Sequence, residues 1–305
     1  MEKFDLYILG CGSATPTTKH HPSSQVVDVR GKLFMIDCAE GAQLQLRVAG
    51  LHFSHLNHIF ISHLHGDHCF GLIGLISTFD LLGRTSQLHI YSPGETLERL
   101  LKPWLEFFCR EIGYKVVFHS FSPNHSEVIY NDKSVSVKTI PLKHRVPCCG
   151  FLFEEKPPLP HIRRDMIDFL HIPFYAINAI KEGADWTDAE GKVWPHERLT
   201  TPATSGRSYA YISDTMPVAK NAELIKGADL LYHEATFASD ASVRAHETGH
   251  STAAQAAQFA QAAEAKRLVI GHFSARYDNE NVLLDEAKLA FKHTILAREG
   301  LKIEI

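Results

Sequence analysis

The sequence predicts an α/β domain with two sheets layered between helices. Two observations carry this reading. Short apolar runs suited to strands alternate with segments of helical spacing before residue 154 and again after residue 207. Between them, about residues 154–201, the alternation fails. That stretch holds Pro157, Pro158, Pro160, Pro173 and Pro195, with Pro202 just beyond, and it reads as an inserted, protruding arm on a single domain spanning 1–305.

The elements follow in order. Residues 4–9 are a short apolar run ending in Gly10-Cys11-Gly12. Residues 25–29 and 32–38 suit strands paired around the turn at Arg30-Gly31. Residues 40–48 have helical spacing, and 58–62 read as a buried strand that delivers the next segment onto a loop. Residues 71–82 suit an apolar helix, 87–91 a strand, and 94–108 a helix that Pro103 interrupts by removing a backbone donor. Strands are expected near 115–121 and 134–142. Beyond the arm, 208–213 and 230–233 are strands. Residues 252–265 are an Ala-rich helix capped by Ser251 or Thr252, and 267–271 are the final buried strand.

The 305 residues carry a formal net charge of −4. A surface that attracts nucleic acid everywhere is usually basic, so any polyanion site must be local or supplied partly by metal ions. The start, MEKFDLYILGCG, is charged and only briefly apolar, unlike a signal peptide. No run approaches the roughly 18 apolar residues of a membrane helix. A cytoplasmic protein is expected, with its six cysteines reduced, as core or near-site thiols.

Histidine is abundant, with 20 copies, and some fall at spacings that chemistry explains. In His63-Leu64-His65-Gly66-Asp67-His68, four potential ligands lie within six residues, just after a strand. His63 and His65 can point one way, while Asp67 and His68 face a neighbouring point. Gly66 lets the chain turn between the pairs. Imidazole nitrogen and carboxylate oxygen are ligands that zinc accepts. His144, Asp214 and His272 each follow an apolar run, where a strand delivers side chains to a sheet edge. Singly each is weak, because a histidine at a strand end is more often packed or merely exposed. Together they complete seven ligands, the number a two-metal site needs, and a carboxylate such as Asp214 can bridge both ions.

The H-x-H-x-D-H loop is similar to the signature of the metallo-β-lactamase superfamily. Four segments, that loop included, resemble the ribonuclease Z family, the tRNA 3′-end processing endonucleases: HLHGDH followed by GLIGL, His233-Glu234-Ala235-Thr236, His250-Ser251-Thr252, and GHFSARY at 271–277. The resemblance runs from the first strand to about Tyr277. It implies a four-layer αββα sandwich and two Zn2+ per chain, with His63, His65 and His144 on one ion, Asp67, His68 and His272 on the other, and Asp214 bridging. It also implies that Asp67 orients or deprotonates the attacking water, that a Glu234–His250 dyad handles the leaving-group proton, and that precursor tRNA is the substrate of a homodimer. The 3′ trailer would be removed to leave a 3′-hydroxyl.

Two segments depart from the family pattern. Where it reads P-x-K-x-R-N, this chain has Pro16-Thr17-Thr18-Lys19-His20-His21. Lys19 keeps one basic group as a candidate RNA contact, but the Arg-Asn pair is missing. His20 and His21 either add partial charge or stacking, or form a solvated turn. The family's arm is basic. Here residues 154–201 hold six Lys or Arg against nine Asp or Glu, with Arg163-Arg164 as the local candidate for phosphate contact or, equally, a solvated helix face. Two other activities compete with RNA cleavage: hydrolysis of a small phosphodiester or sulfate ester on the same fold, and metal-containing RNA binding without turnover. The dyad argues against the second. The arm argues against the first, because a small substrate has no use for it.

Overall fold

The computed structural model describes residues 2–305. The chain opens with β1 (Phe4–Gly10), β2 (Ser24–Val29), β3 (Lys32–Cys38), β4 (Leu56–Phe60), β5 (Leu88–Pro93) and β6 (Val116–Phe121). Among them lie α1 (Ala42–Val48), the single turn α2 (Gly66–Cys69), α3 (Leu72–Leu81) and α4 (Thr96–Phe108). Next come β7 (Val128–Asn131), β8 (Val135–Pro141) and β9 (Cys149–Glu155). After the arm come β14 (Ser208–Ile212), β15 (Leu230–Glu234), α8 (Ser242–Thr248), α9 (Ala253–Ala262), β16 (Leu268–Gly271), α10 (Asn281–Ala290), β17 (Thr294–Leu296) and β18 (Lys302–Glu304).

Two seven-stranded sheets result, in the orders β18-β1-β2-β3-β4-β5-β6 and β17-β16-β15-β14-β9-β8-β7. Strand alternation explains their stacking. In β3, Phe34 and Ile36 point between the sheets, while Leu33 and Met35 point to the layer that holds Leu46 of α1 and Leu72, Leu75 and Phe79 of α3. Both faces of β3 are therefore apolar, as a strand buried on two sides requires. The second sheet meets the first through Phe151, Phe153, Tyr209 and Tyr211, and Ala253, Ala256, Ala257 and Ala260 of α9 join the same core. Small residues let that helix approach closely. Thr252 caps α9 in a reciprocal capping box with Gln255, one of the two caps expected.

Several expectations need correction. Pro103 does not interrupt α4, which runs through it; Leu97 and Leu101 bury one face of the helix and hold it together. Strand 267–271 is the last fully buried one, but α10, β17 and β18 follow it and the last two supply a sheet edge each. The strand β9 lies where only the edge of the arm was expected.

Contacts divide the chain into two compact units, one formed by 1–154 with 207–305 and the other by Glu155–Gly206. The smaller unit is more regular than its prolines suggest. It contains β10 (His161–Ile162) paired with β13 (Thr200–Thr201), β11 (Trp186–Thr187) paired with β12 (Val193–Trp194), and helices α5 (Arg164–Leu170), α6 (Phe174–Lys181) and α7 (His196–Leu199). Pro173 and Pro195 stand immediately before α6 and α7, where a missing donor costs nothing. Ile172, Ala176, Ile180 and Leu199 form an apolar cluster of its own.

Candidate metal centre

Strand ends build the centre. The chain leaves β4 at Phe60, turns through Ser62 and places His63 and His65 ahead of α2, which carries Asp67 and His68. Asp214 follows β14, His272 follows β16, and His144 follows β8. β14, β15 and β16 run parallel, so their carboxyl ends share one edge, where open α/β sheets present ligands. The seven expected ligands fall into two groups, His63–His65–His144–Asp214 and Asp67–His68–Asp214–His272. Within each group one donor atom per residue lies within 4.8 Å of the others. Asp214 belongs to both.

Outer partners fix the rings. Asp37 is fully buried; its Oδ2 lies 2.7 Å from Nδ1 of His68 and also accepts from Tyr211 Oη and Ser62 Oγ. His144 Nδ1 donates to the carbonyl of Gly249 at 2.9 Å, and His272 Nδ1 meets Thr236 Oγ1 at 2.9 Å. Each of these rings thus has one nitrogen held and the other left for the centre, as outer partners of metal-bound histidines require. Nε2 of His68 and Nε2 of His272 are buried without a well-directed hydrogen bond, and face Asp214 oxygens at 3.3 and 3.1 Å. Buried nitrogens left in that state beside carboxylates suit a shared cation. Burial works against charge on His68, yet Asp214 and Asp37 outweigh it and raise its pKa well above the ordinary value. That field favours positive charge, and a cation would displace the proton. The donor set therefore fits divalent metal ions. Asp37, Asp214 and His272 all adopt φ between 52° and 60°, a left-handed backbone that non-glycine residues rarely take. Such strain concentrates at functional sites.

Beside the ligands, His250 Nδ1 lies 2.9 Å from Glu234 Oε1. Burial would lower the His250 pKa, but the Glu234 carboxylate overrides it and raises it to about 9. Burial likewise opposes ionisation of Glu234, and His250 reverses that, lowering its pKa. Glu234 also accepts from the Thr215 backbone N–H at 2.7 Å and from Thr236 Oγ1. An open cleft of about 420 Å³ is lined by Asp67, His144, His250 and His272, with Arg145, Arg244 and Arg276 on its wall. The sequence reading missed these arginines, and it missed Asp37. An acid closing the apolar run KLFMID was the available signal for Asp37; Arg276 stands within GHFSARY.

Lys19 lies apart from the ligands and is already committed. Its Nζ contacts both Glu280 carboxylate oxygens, at 2.5 and 2.7 Å, and the Asp278 carbonyl at 2.8 Å. Arg163 and Arg164 are exposed in the smaller unit, where Arg163 pairs with Asp165 at 2.6 Å.

The fold and centre define a metallo-β-lactamase-type protein. A family model described as "Beta-lactamase superfamily domain" matches residues 195–273, and one described as "Anti-Pycsar protein Apyc1" matches 4–159. A ribonuclease Z of Bacteroides thetaiotaomicron is 63% identical over the whole chain and 96% of its own length; that of Phocaeicola vulgatus is 60% identical over the whole chain and 98% of its own. The crystal structure of human tRNase Z, short form, superposes with a TM-score of 0.72 at 28% identity, covering 99% of each chain. The chain belongs to the ribonuclease Z family.

Proposed function

We propose that this protein is a zinc-dependent endoribonuclease of the cytoplasm that removes the 3′ trailer of precursor tRNA and leaves a 3′-hydroxyl. One observation carries the reading: a seven-ligand centre and the Glu234–His250 pair open into the same cleft. Two zinc ions there would supply Lewis acidity toward a phosphoryl oxygen and lower the pKa of a water between them. His63, His65 and His144 would hold one, Asp67, His68 and His272 the other, and Asp214 both. Asp67 orients the attacking water and takes its proton. Glu234 fixes the His250 ring through Nδ1, which leaves Nε2 to protonate the departing 3′-oxygen, an alkoxide that leaves poorly without a proton. Non-catalytic binding has no use for that pair. Arg145, Arg244 and Arg276 are better placed than Lys19 to take the flanking phosphates, since Lys19 is held by Glu280.

The smaller unit, Glu155–Gly206, binds the tRNA body, with Arg163 and Arg164 contributing. A homodimer fits the apolar surface of α4 and its surroundings: Phe70, Leu100, Trp104, Phe107 and Phe108 are all more than half exposed. Such a cluster on a water-facing helix marks an association surface. Trp104→Glu is expected to yield monomers in analytical ultracentrifugation; an unchanged dimer places the interface elsewhere.

The function is tested by incubating zinc-loaded protein with a precursor tRNA and, in parallel, bis-p-nitrophenyl phosphate. Cleavage at the trailer junction is expected, with Asp67→Ala losing turnover while it retains its fold. Hydrolysis of the small ester alone would overturn the tRNA assignment, and near-normal cleavage by Asp67→Ala would overturn the role of Asp67.

A further inference from the structure

A second cluster of ligand-type side chains lies outside the centre. Cys11 follows β1, His20 lies in the loop before β2, and Glu299 precedes β18. Cys11 Sγ is 3.4 Å from His20 Nδ1 and 3.7 Å from Glu299 Oε1, and His20 Nδ1 is 3.3 Å from the same Oε1. Zinc bonds of the usual lengths in tetrahedral geometry hold sulfur, nitrogen and oxygen donors about 3.3–3.6 Å apart. The three atoms stand 3.3–3.7 Å apart, close to those separations, and His20 Nδ1 also lies 3.0 Å from Glu299 Oε2. Cys11 is fully buried, and the side chains of His20 and Glu299 are only 13% and 17% exposed.

The surroundings complete the pattern. The other nitrogen of His20, Nε2, meets Glu280 Oε1 at 3.1 Å, the carboxylate–imidazole support typical of metal-bound histidine. Glu280 is in turn held by Lys19, and the His21 backbone N–H donates to Glu299 Oε1 at 2.9 Å. In a protein expected to stay in a reducing compartment, a cysteine beside a histidine and a carboxylate suits a metal better than a disulfide.

We propose that Cys11, His20 and Glu299 bind a third divalent cation, zinc by preference, as a structural site distinct from the seven-ligand centre. Cys11 supplies a thiolate, His20 its Nδ1 and Glu299 a carboxylate oxygen, and water completes four-coordination. Binding sends the thiol proton to solvent, and with it the extra proton that the Glu299 hydrogen bond otherwise favours on His20. The ion ties together three segments distant in sequence. It also braces the stretch leading from His272, because the Cys11 carbonyl accepts from the Phe273 N–H at 2.9 Å and the Phe273 carbonyl from the Ser13 N–H at 3.0 Å. The competing arrangement is a cation-free ion-pair cluster, with a protonated His20 between Glu299 and Glu280.

The test uses the full chain, loaded with zinc or cobalt. Elemental analysis is expected to find three zinc per chain, falling to two in Cys11→Ser. The cobalt form is expected to show a near-ultraviolet thiolate-to-cobalt charge-transfer band that Cys11→Ser abolishes. The seven-ligand centre contains no thiol donor, so this band reports the third site whatever happens at the first two. Should Cys11→Ser fail to fold, His20→Gln, at a more exposed position, is expected to lose the same ion and weaken the same band. A protein that carries no thiolate band with excess cobalt, or keeps it in both variants, overturns the proposal.

Discussion

His250 is held by a buried carboxylate on one side and faces the cleft on the other, and its role follows from that asymmetry. Glu234 keeps the imidazole protonated near neutral pH, with a pKa of about 9. A cationic imidazole matters only where the departing oxygen needs a proton. His250→Ala is expected to slow RNA cleavage by about 10²–10⁴-fold, the usual contribution of a positioned acid. Hydrolysis of bis-p-nitrophenyl phosphate should fall far less, because nitrophenolate departs unaided. Parallel rate measurements on both substrates decide the matter, and equal losses would remove His250 from the acid role. The seven candidate ligands beside it were visible in the sequence as His and Asp residues at the ends of apolar runs, and the fold gathers them into two groups that share Asp214. Asp37 was not. It makes four hydrogen bonds or close polar contacts at 2.7–2.9 Å, yet its partners Ser62, His68 and Tyr211 come from distant segments. No local spacing announces such a residue.

Among the elements, β4, β5 and β6 carry a stack of rings whose protonation the sheet resists. His58 stacks on His89 at 5.0 Å, His89 Nδ1 lies 2.9 Å from His119 Nε2, and Tyr91 stacks on His119 at 4.4 Å. Burial, then the neighbouring His89, lowers the His58 pKa to about 4; Asp132 opposes this and does not prevail. Unfolded, the same group titrates near 6.5. Between those values the unfolded chain binds more protons, so His58 contributes stability above about pH 6.5 that is lost as pH falls toward 4. Urea unfolding of the native protein and of His58→Gln is expected to show a shallower decline for the variant across that window. The metal ligands are common to both, so the difference isolates the stack; parallel declines would acquit His58. Elements were read most reliably where apolar runs were flanked by turns. β9 escaped because CGFLFEE runs directly into the expected arm, and α4 was misread because a proline penalty was weighed without the buried Leu97 and Leu101 that outweigh it.

At the scale of the whole molecule, the smaller unit has an apolar cluster that draws only on its own residues. If it holds tRNA remotely, it contributes to binding rather than to bond cleavage. Replacing its tip with a short Gly-Ser link is expected to raise KM for precursor tRNA while leaving small-ester hydrolysis nearly unchanged. Steady-state kinetics on both substrates measure this. Intact tRNA cleavage, or equal loss on both, would make the unit a structural element. Its proline content was visible in the sequence, but its order was not, because short helices anchored by a four-residue core leave little periodicity. Exposed Phe174 and Tyr175 on α6 add aromatic surface that net charge alone does not reveal.

The ladder between β1 and β18 brings Asp5 opposite Glu304 and Tyr7 opposite Lys302, so the outer edge of β1 stays unpaired until residues 302–304 are made. During synthesis on the ribosome, β1 has β2 as a neighbour but an open edge on its other side. Its closing partner emerges only after His272 and the whole second sheet. Long-range pairings of this kind slow folding and leave strand edges exposed meanwhile. A ribosome stalled near residue 270 would carry six of the seven candidate ligands and lack His272.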